Sequence, residues 1–292
     1  MTRVASFAQW VSGARPRTLP NAIAPVIAGT GAAAWLGSAV WWKALLALVV
    51  SVALIIGVNY ANDYSDGVRG TDVDRVGPMR LTASGAAPAT HVRGAAFAAF
   101  GVAALLGLWL VALSGAWWLL VVGALAVVAA WTYTGGRRPY GYRGLGEVGV
   151  FVFFGLVAVL GTTYTQLGTV TWPAVVGAVA VGLLACALLM ANNLRDVPTD
   201  AVVGKRTLAV RLGEHRARRV YAVMVVLPVL LGAVCALAAP WSLLVLLLLA
   251  PAVVLAVVVL LGARGIALVP VLAGTGALEL GFGVALGLGL AL

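Results

Sequence analysis

Nine apolar runs recur along the 292-residue chain, at about 18–36, 41–62, 92–112, 115–134, 146–165, 172–193, 217–238, 241–261 and 267–291. Each is near the roughly 20 residues that a helix needs to cross the hydrocarbon core of a bilayer. The runs are continuously apolar rather than alternating, so they read as helices and not as strands of a membrane barrel. The composition excludes the common alternatives. At 63% hydrophobic and 10% charged, the chain has too few charges for a soluble domain, where about a quarter of residues are charged. It also has the opposite bias from a disordered chain. Its 36 glycines follow no three-residue period, unlike collagen. The expectation is an all-α polytopic membrane protein, one domain over 1–292, with nine transmembrane helices. Arg15 and Arg17 come late and Pro20 and Pro25 interrupt the first run, so that run reads as a signal-anchor-like span and not a cleaved signal peptide.

Charge assigns the sides. With nine crossings, all 19 basic residues except Lys43 fall on the face that carries the N-terminus. The positive-inside rule makes that face cytoplasmic and places the C-terminus outside. Eight of the nine acids share the face and only Glu279 lies elsewhere, although acids have no topological reason to follow the rule. The chemistry is therefore expected at the cytoplasmic side of the cell membrane, in two long loops at about 63–91 and 194–216. The net charge of +10 then points to anionic membrane lipid or a polyanionic substrate, not to nucleic acid.

Each of these loops opens on an acidic cluster. The first reads Asn59-Tyr-Ala-Asn62-Asp63-Tyr-Ser-Asp66-Gly-Val-Arg69-Gly-Thr-Asp72-Val-Asp74-Arg75, and the second Asn192-Asn193-Leu-Arg195-Asp196-Val-Pro-Thr-Asp200, followed by Lys205 and Arg206. Spacing of four puts Asn62 with Asp66, and Asp196 with Asp200, on one helix face. Pro198 disfavours helix at Val197, so a kinked or ending turn is expected there. Carboxylates at a helix C-terminus oppose its dipole and repel one another, and a divalent cation relieves both penalties. The donors are all oxygen, which suits Mg²⁺, an ion that binds through one or two carboxylates and substrate phosphates. The interleaved Arg69, Arg75, Arg80, Arg195, Lys205 and Arg206 suit phosphate. A diphosphate whose other end enters the bilayer is a prenyl diphosphate. Metal-assisted departure of its diphosphate would leave an allylic cation in a water-excluding cavity. Tyr60, Tyr64, Tyr133 and Tyr140, near the same helix ends, offer aromatic faces to such a cation, as well as an interfacial belt.

The paired Asn-Asp-x-x-Asp and Asp-x-x-x-Asp elements resemble the UbiA superfamily of intramembrane prenyltransferases, and the resemblance covers nearly the whole chain. Several segments are similar to its menaquinone-forming branch, which acts on 1,4-dihydroxy-2-naphthoate. They are Ala14-Arg-Pro-Arg-Thr-Leu-Pro20, Asn62 to Asp72, Gly144-Leu-Gly-Glu147 with Val150-Phe-Val-Phe-Phe-Gly155, and Asn192-Asn-Leu-Arg-Asp196 with Gly204-Lys-Arg-Thr-Leu-Ala209. The resemblance implies transfer of a polyprenyl group from polyprenyl diphosphate onto that acceptor, with loss of its carboxylate. It implies Asn62, Asp66, Asp196 and Asp200 as the Mg²⁺–diphosphate positions, with Asp63 and Asp72 as further acids. Asp66, Asp196, Lys205 and Glu147 become the expected catalytic set. Asn62, Arg69, Arg80, Tyr133, Tyr140, Asn192, Arg195 and Arg206 become the expected substrate contacts. Glu147 is placed near the acceptor. Gly70 stands where the superfamily usually has its later acid, and Asp72 follows two residues on. Other acceptors used in the superfamily (4-hydroxybenzoate, homogentisate, a tetrapyrrole) are the near alternatives. A cation transporter is the distant one, and it would set its charges at the midplane.

Other residues read more plainly. Glu279, deep in the last run, would be protonated or paired. Cys186 and Cys235 sit in apolar runs and read as packing. His91 and His215 read as solvated. Trp41, Trp42, Trp117, Trp118 and Trp172 read as interfacial belts. Gly281, Gly283, Gly287 and Gly289 read as close helix packing.

Overall fold

A computed structural model describes residues 5–71 and 79–292. Among these residues every regular element is helical. A short surface helix, α1 (Phe7–Ala14), opens on a capping box in which Ser6 and Gln9 exchange side-chain and backbone bonds. The helices that follow are α2 (Pro20–Ala34), α3 (Trp41–Arg69), α4 (Ala89–Ser114), α5 (Leu119–Thr132), α6 (Gly146–Leu167), α7 (Trp172–Val202), the short α8 (Leu208–Leu212), α9 (Glu214–Leu237), α10 (Pro240–Leu260) and α11 (Gly265–Ala291). Seven of them, α3, α4, α6, α7, α9, α10 and α11, are long and apolar enough to cross a membrane. The other two expected crossings coincide with α2 and α5, of 15 and 14 residues, which at 1.5 Å per residue cover only about 21–23 Å.

The two acidic clusters are not in loops. α3 has 29 residues and α7 has 31, about 43 and 46 Å of helix against a hydrocarbon core of about 30 Å. Both therefore carry their acids on helical turns that project past the apolar layer. α3 runs on to Gly70, whose φ of 74° gives the left-handed cap, with its N–H on Asp66 and Gly67 carbonyls. α7 also continues through Pro198 to Val202, so the helix does not end at that turn. The proline removes one backbone donor in the last turns, where few bonds remain to lose, and the Thr199 hydroxyl donates to the Asp196 carbonyl at 3.0 Å.

α7 is the central element: 72% of its apolar window is buried, against 22% for α10, which faces outward. Small residues let the neighbours approach. A Cβ on Gly155 of α6 would lie 2.5 Å from the Gly182 Cα of α7. α2 and α11 approach as closely, at two points. A Cβ on Gly31 would lie 2.4 Å from the Gly287 Cα, and one on Gly283 would lie 2.7 Å from the Ala24 Cα. This seam gives the glycine-rich last span its packing role. Glu279 is fully buried within α11. With the Asn21 amide turned to suit its surroundings, Asn21 Nδ2 of α2 donates to Glu279 Oε2 at 2.5 Å. Both cysteines are buried and free, and Trp41, Trp117, Trp118 and Trp172 are exposed at helix ends.

Gly31→Ala should lower the thermal midpoint of the detergent-purified protein by several degrees, because backbone faces backbone there and overpacking costs about 1–3 kcal/mol. Gly101→Ala, on an open face of α4, should leave it unchanged or slightly raised. Equal midpoints for the two variants would dissolve the seam.

Candidate active site

A cavity of about 660 Å³ lies among α2 to α7, with Leu272 of α11 on its wall. Its composition is split. One end carries Arg15, Arg17, Asn59, Asn62, Asp66, Arg80, Asn192, Asn193, Arg195 and Lys205. The remainder is apolar, with Val50 and Leu54 of α3, Ala103 and Gly107 of α4, Val122 and Val127 of α5, and Phe153, Phe154 and Val157 of α6. The α6 residues belong to a π-helical stretch, Phe151–Val157. Its wider winding changes the direction in which successive side chains leave the helix, a device often found at functional sites.

The first cluster divides its labour. Asn62 and Asp66 line the cavity. Asn62 Oδ1 accepts from the Thr134 hydroxyl at 2.8 Å. Asp66 Oδ1 accepts from the Tyr142 hydroxyl at 2.7 Å, and its Oδ2 lies 4.0 Å from Arg80 Nη2. Asp63, expected as a further ligand, does not line the cavity. Its Oδ2 and Oδ1 accept the backbone N–H groups of Leu81 and Thr82 at 2.8 and 2.9 Å, so it clamps the segment that carries Arg80. Asp72 lies outside the described residues.

The second cluster is a paired layer. Arg195 lines the cavity and donates from Nε and Nη2 to the two oxygens of Asp196 at 2.7 and 2.9 Å. Its Nη2 also reaches Asn192 Oδ1 at 2.8 Å. Lys205 Nζ stands 3.7 Å from Asp200 Oδ1. Asp196 and Asp200 are buried beside the cavity rather than on its wall. Glu147 is buried likewise and stays off the wall. Its Oε1 accepts from Asn193 Nδ2 at 3.0 Å, and it is Asn193 that faces the cavity.

Tyr133 and Tyr140 both line the cavity, edge to face with centroids 5.5 Å apart. Burial pushes the Tyr140 phenol up to about 12. Burial and the neighbouring Asp66 carboxylate also raise Tyr142, so both phenols remain protonated donors. Two expected substrate contacts, Arg69 and Arg206, do not line the cavity. Arg69 is exposed and donates to the carbonyls of Thr134 and Gly136. Arg206 is exposed and off the cavity wall; its backbone N–H donates to the Tyr142 carbonyl at 3.0 Å, which leaves its guanidinium uncommitted by that bond.

The reading by spacing passed over Arg15, Arg17 and Asn59. Arg15 has φ 54°, the one non-glycine with positive φ among the described residues. Such strain persists where surrounding structure enforces it and often marks a site. Asn59 enforces it here by donating to the Ala14 carbonyl and to Thr18 Oγ1, both at 2.9 Å. The available signal was Ala14-Arg-Pro-Arg, an arginine wedged between a helix end and a proline.

The donor set suits a hard cation. No Cys or His lines the cavity, and the oxygens of Asn62 and Asp66 stand among five cationic side chains that match phosphate. No group of three or more Asp, Glu, His or Cys gathers into a metal cage among the described residues. Mg²⁺ takes one or two carboxylates and completes its shell with water and substrate phosphates.

Comparison with known proteins agrees with this geometry. A family model described as the UbiA prenyltransferase family matches residues 22–270. The chain is 59% identical over 273 residues to a Mycobacterium tuberculosis protein named 1,4-dihydroxy-2-naphthoate octaprenyltransferase, covering 94% of this chain and 93% of that one. Its fold is similar to a UbiA homolog from Aeropyrum pernix K1, with TM-score 0.70, 18% identity and coverage of 92% and 96%. It is also similar to a UbiA homolog from Archaeoglobus fulgidus described as bound to GPP and Mg²⁺, with TM-score 0.65, 14% identity and coverage of 95% and 99%. At those identities the two structures establish the fold alone.

Asp63→Ala should destabilise the purified protein by about 2–3 kcal/mol, since it leaves two backbone donors without their charged acceptor. Asp63→Asn keeps one acceptor oxygen and should lose less. Thermal unfolding of both variants checks this, and a neutral Asp63→Ala would remove the clamp.

Proposed function

The chain belongs to the UbiA prenyltransferase family, and from that premise we propose that it transfers a polyprenyl group from polyprenyl diphosphate to 1,4-dihydroxy-2-naphthoate. Diphosphate and the acceptor's carboxylate are lost, giving demethylmenaquinone for menaquinone biosynthesis. The observation that carries the acceptor is the 59% identity, along 94% of the chain, to a protein named for that reaction. The donor follows from the cavity, whose cationic end and long apolar wall match a diphosphate joined to a hydrocarbon.

The side chains divide the work. Arg15, Arg17, Arg80, Arg195 and Lys205 hold the diphosphate. Asn62 and Asp66 are the oxygen donors on the wall for Mg²⁺. When Arg195 and Lys205 turn to phosphate, Asp196 and Asp200 lose their present partners and become the donors of the second cluster. Bound Mg²⁺ supplies charge neutralisation at the bridging oxygen, which makes diphosphate a better leaving group. The apolar wall from α3 to α6 keeps water from the allylic cation, and the rings of Tyr133 and Tyr140 offer it a negative face. Glu147 acts through Asn193, fixing that amide where the acceptor enters. Glu147 thus becomes a positioning residue, not one that touches substrate. Arg69 and Arg206 hold the loops around the site. Nine crossings in one domain, with the N-terminus and the cationic end of the cavity on the cytoplasmic side of the cell membrane, complete the reading. Its support is the distribution of charge along the chain.

The purified protein should form product with Mg²⁺, a polyprenyl diphosphate and 1,4-dihydroxy-2-naphthoate, and none when Mg²⁺ is chelated. Product from 4-hydroxybenzoate alone would overturn the acceptor. Asp66→Ala and Asp196→Ala should each lower turnover by roughly a hundredfold while the protein still extracts folded from membranes. Near-normal turnover in either would displace the metal site.

A further inference from the structure

Tyr142 lies in the turn between α5 and α6 (Tyr140–Arg143) and does not line the cavity, yet it touches residues of both halves of the polar end. Its hydroxyl donates to Asp66 Oδ1 at 2.7 Å and stands 3.2 Å from Thr71 Oγ1. Two cations stand over its ring: the Arg69 guanidinium 5.5 Å and the Lys205 ammonium 5.2 Å from the centroid. Its carbonyl accepts the Arg206 N–H at 3.0 Å. One residue therefore holds the end of α3, which carries the first acidic cluster, and the turn after α7, which carries Lys205.

The chemistry of each contact is specific. A carboxylate on a helix face can rotate about its terminal bond and offer either oxygen or both. A phenol fixed on Oδ1 removes that freedom and leaves Oδ2 on the side of Arg80, which faces the cavity. Outer partners of this kind orient ligand groups, and losing one typically costs 10–100-fold in metal affinity. The ring does separate work. A cation over an aromatic face is held without a hydrogen bond being spent, so the ring keeps Lys205 near the site beside Asp200 while its ammonium retains donors for phosphate.

We propose that Tyr142 is a positioning residue that couples the two acidic clusters, its hydroxyl presenting one oxygen of Asp66 to a divalent cation and its ring carrying Lys205 to the same diphosphate. The inference rests on the Mg²⁺–diphosphate reading of the cavity given above. The two functions reside in different parts of the side chain and separate on substitution. Tyr142→Phe removes the hydroxyl and keeps the ring; Tyr142→Leu removes both.

The test is binding of geranyl diphosphate to detergent-purified protein, followed by calorimetry across a Mg²⁺ series with no acceptor present. Tyr142→Phe should raise the Mg²⁺ midpoint about tenfold, with geranyl diphosphate affinity at saturating Mg²⁺ within about twofold of wild type. Tyr142→Leu should in addition weaken geranyl diphosphate about tenfold at saturating Mg²⁺. Thermal unfolding of each variant separates this from a packing role. A lowered midpoint of unfolding with an unmoved Mg²⁺ midpoint in Tyr142→Phe overturns the coupling, as does equal loss of diphosphate affinity in the two variants. Wild-type protein that binds geranyl diphosphate with Mg²⁺ while Tyr142→Phe behaves identically sinks this inference alone. Wild-type protein that shows no Mg²⁺-dependent binding sinks it together with the proposed function.

Discussion

Asp63 spends both carboxylate oxygens on the amides of Leu81 and Thr82, and the shape of the site descends from that contact. The segment after residue 79 folds back over the end of α3, where its backbone donors have no helical partner. Buried backbone donors must be satisfied, and a carboxylate bridging two of them is a strong solution. Once clamped, the segment buries Leu81 against α1, close to Gly13, and sets Arg80 within 4.0 Å of Asp66. One acid of the cluster thus builds the loop that brings a cation to the other.

The same arrangement recurs around the wall. Thr134 stands behind Asn62, Tyr142 behind Asp66, Glu147 behind Asn193, Asp196 behind Arg195 and Glu279 behind Asn21. Except for Thr134, which shares the wall with Asn62, each of these partners sits off the wall and holds a group that faces the cavity. In a low-dielectric bundle such pairing satisfies a buried polar group and fixes its direction before any ligand arrives. The cationic end of the cavity is preset in the same manner, with Arg195 forked on Asp196 and Lys205 beside Asp200. In the proposed reading, phosphate would meet ordered donors that have only to exchange one anion for another.

The sequence announces the helices and the acidic clusters because both are local properties. Hydropathy over a span-length window marks α3 or α7, and spacing of four marks the face shared by Asn62 and Asp66. The division between Asp63 and Asp66 is not local. Both are aspartates on neighbouring turns, and only the fold-back of residues 81–82 assigns one to the backbone and the other to the cavity. Glu147 and Arg69 follow the same logic: type and position suggest substrate, while Asn193 and the carbonyls of Thr134 and Gly136, distant in sequence, claim them. The extent of α3 was nearer to hand, since Arg69-Gly70 is an ordinary helix ending. Pro198 misleads because its penalty presumes helix on both sides, and little helix follows it.

The seam between α2 and α11 has a consequence for biogenesis. The short helix α2, made near the start of the bundle, packs backbone to backbone against α11, so the cavity wall that begins with Arg15, Arg17 and Asn21 has no final position until α11 has been made. Helices α3 to α10 can insert and pair in the interim, but the ring they form stays open at its first member. Contacts this distant in sequence form slowly and leave incomplete surfaces in the lipid for longer. A chain cut short anywhere before residue 283 would lose the glycine surface on which α2 closes, so an intact set of site residues would still be presented by an unfinished ring.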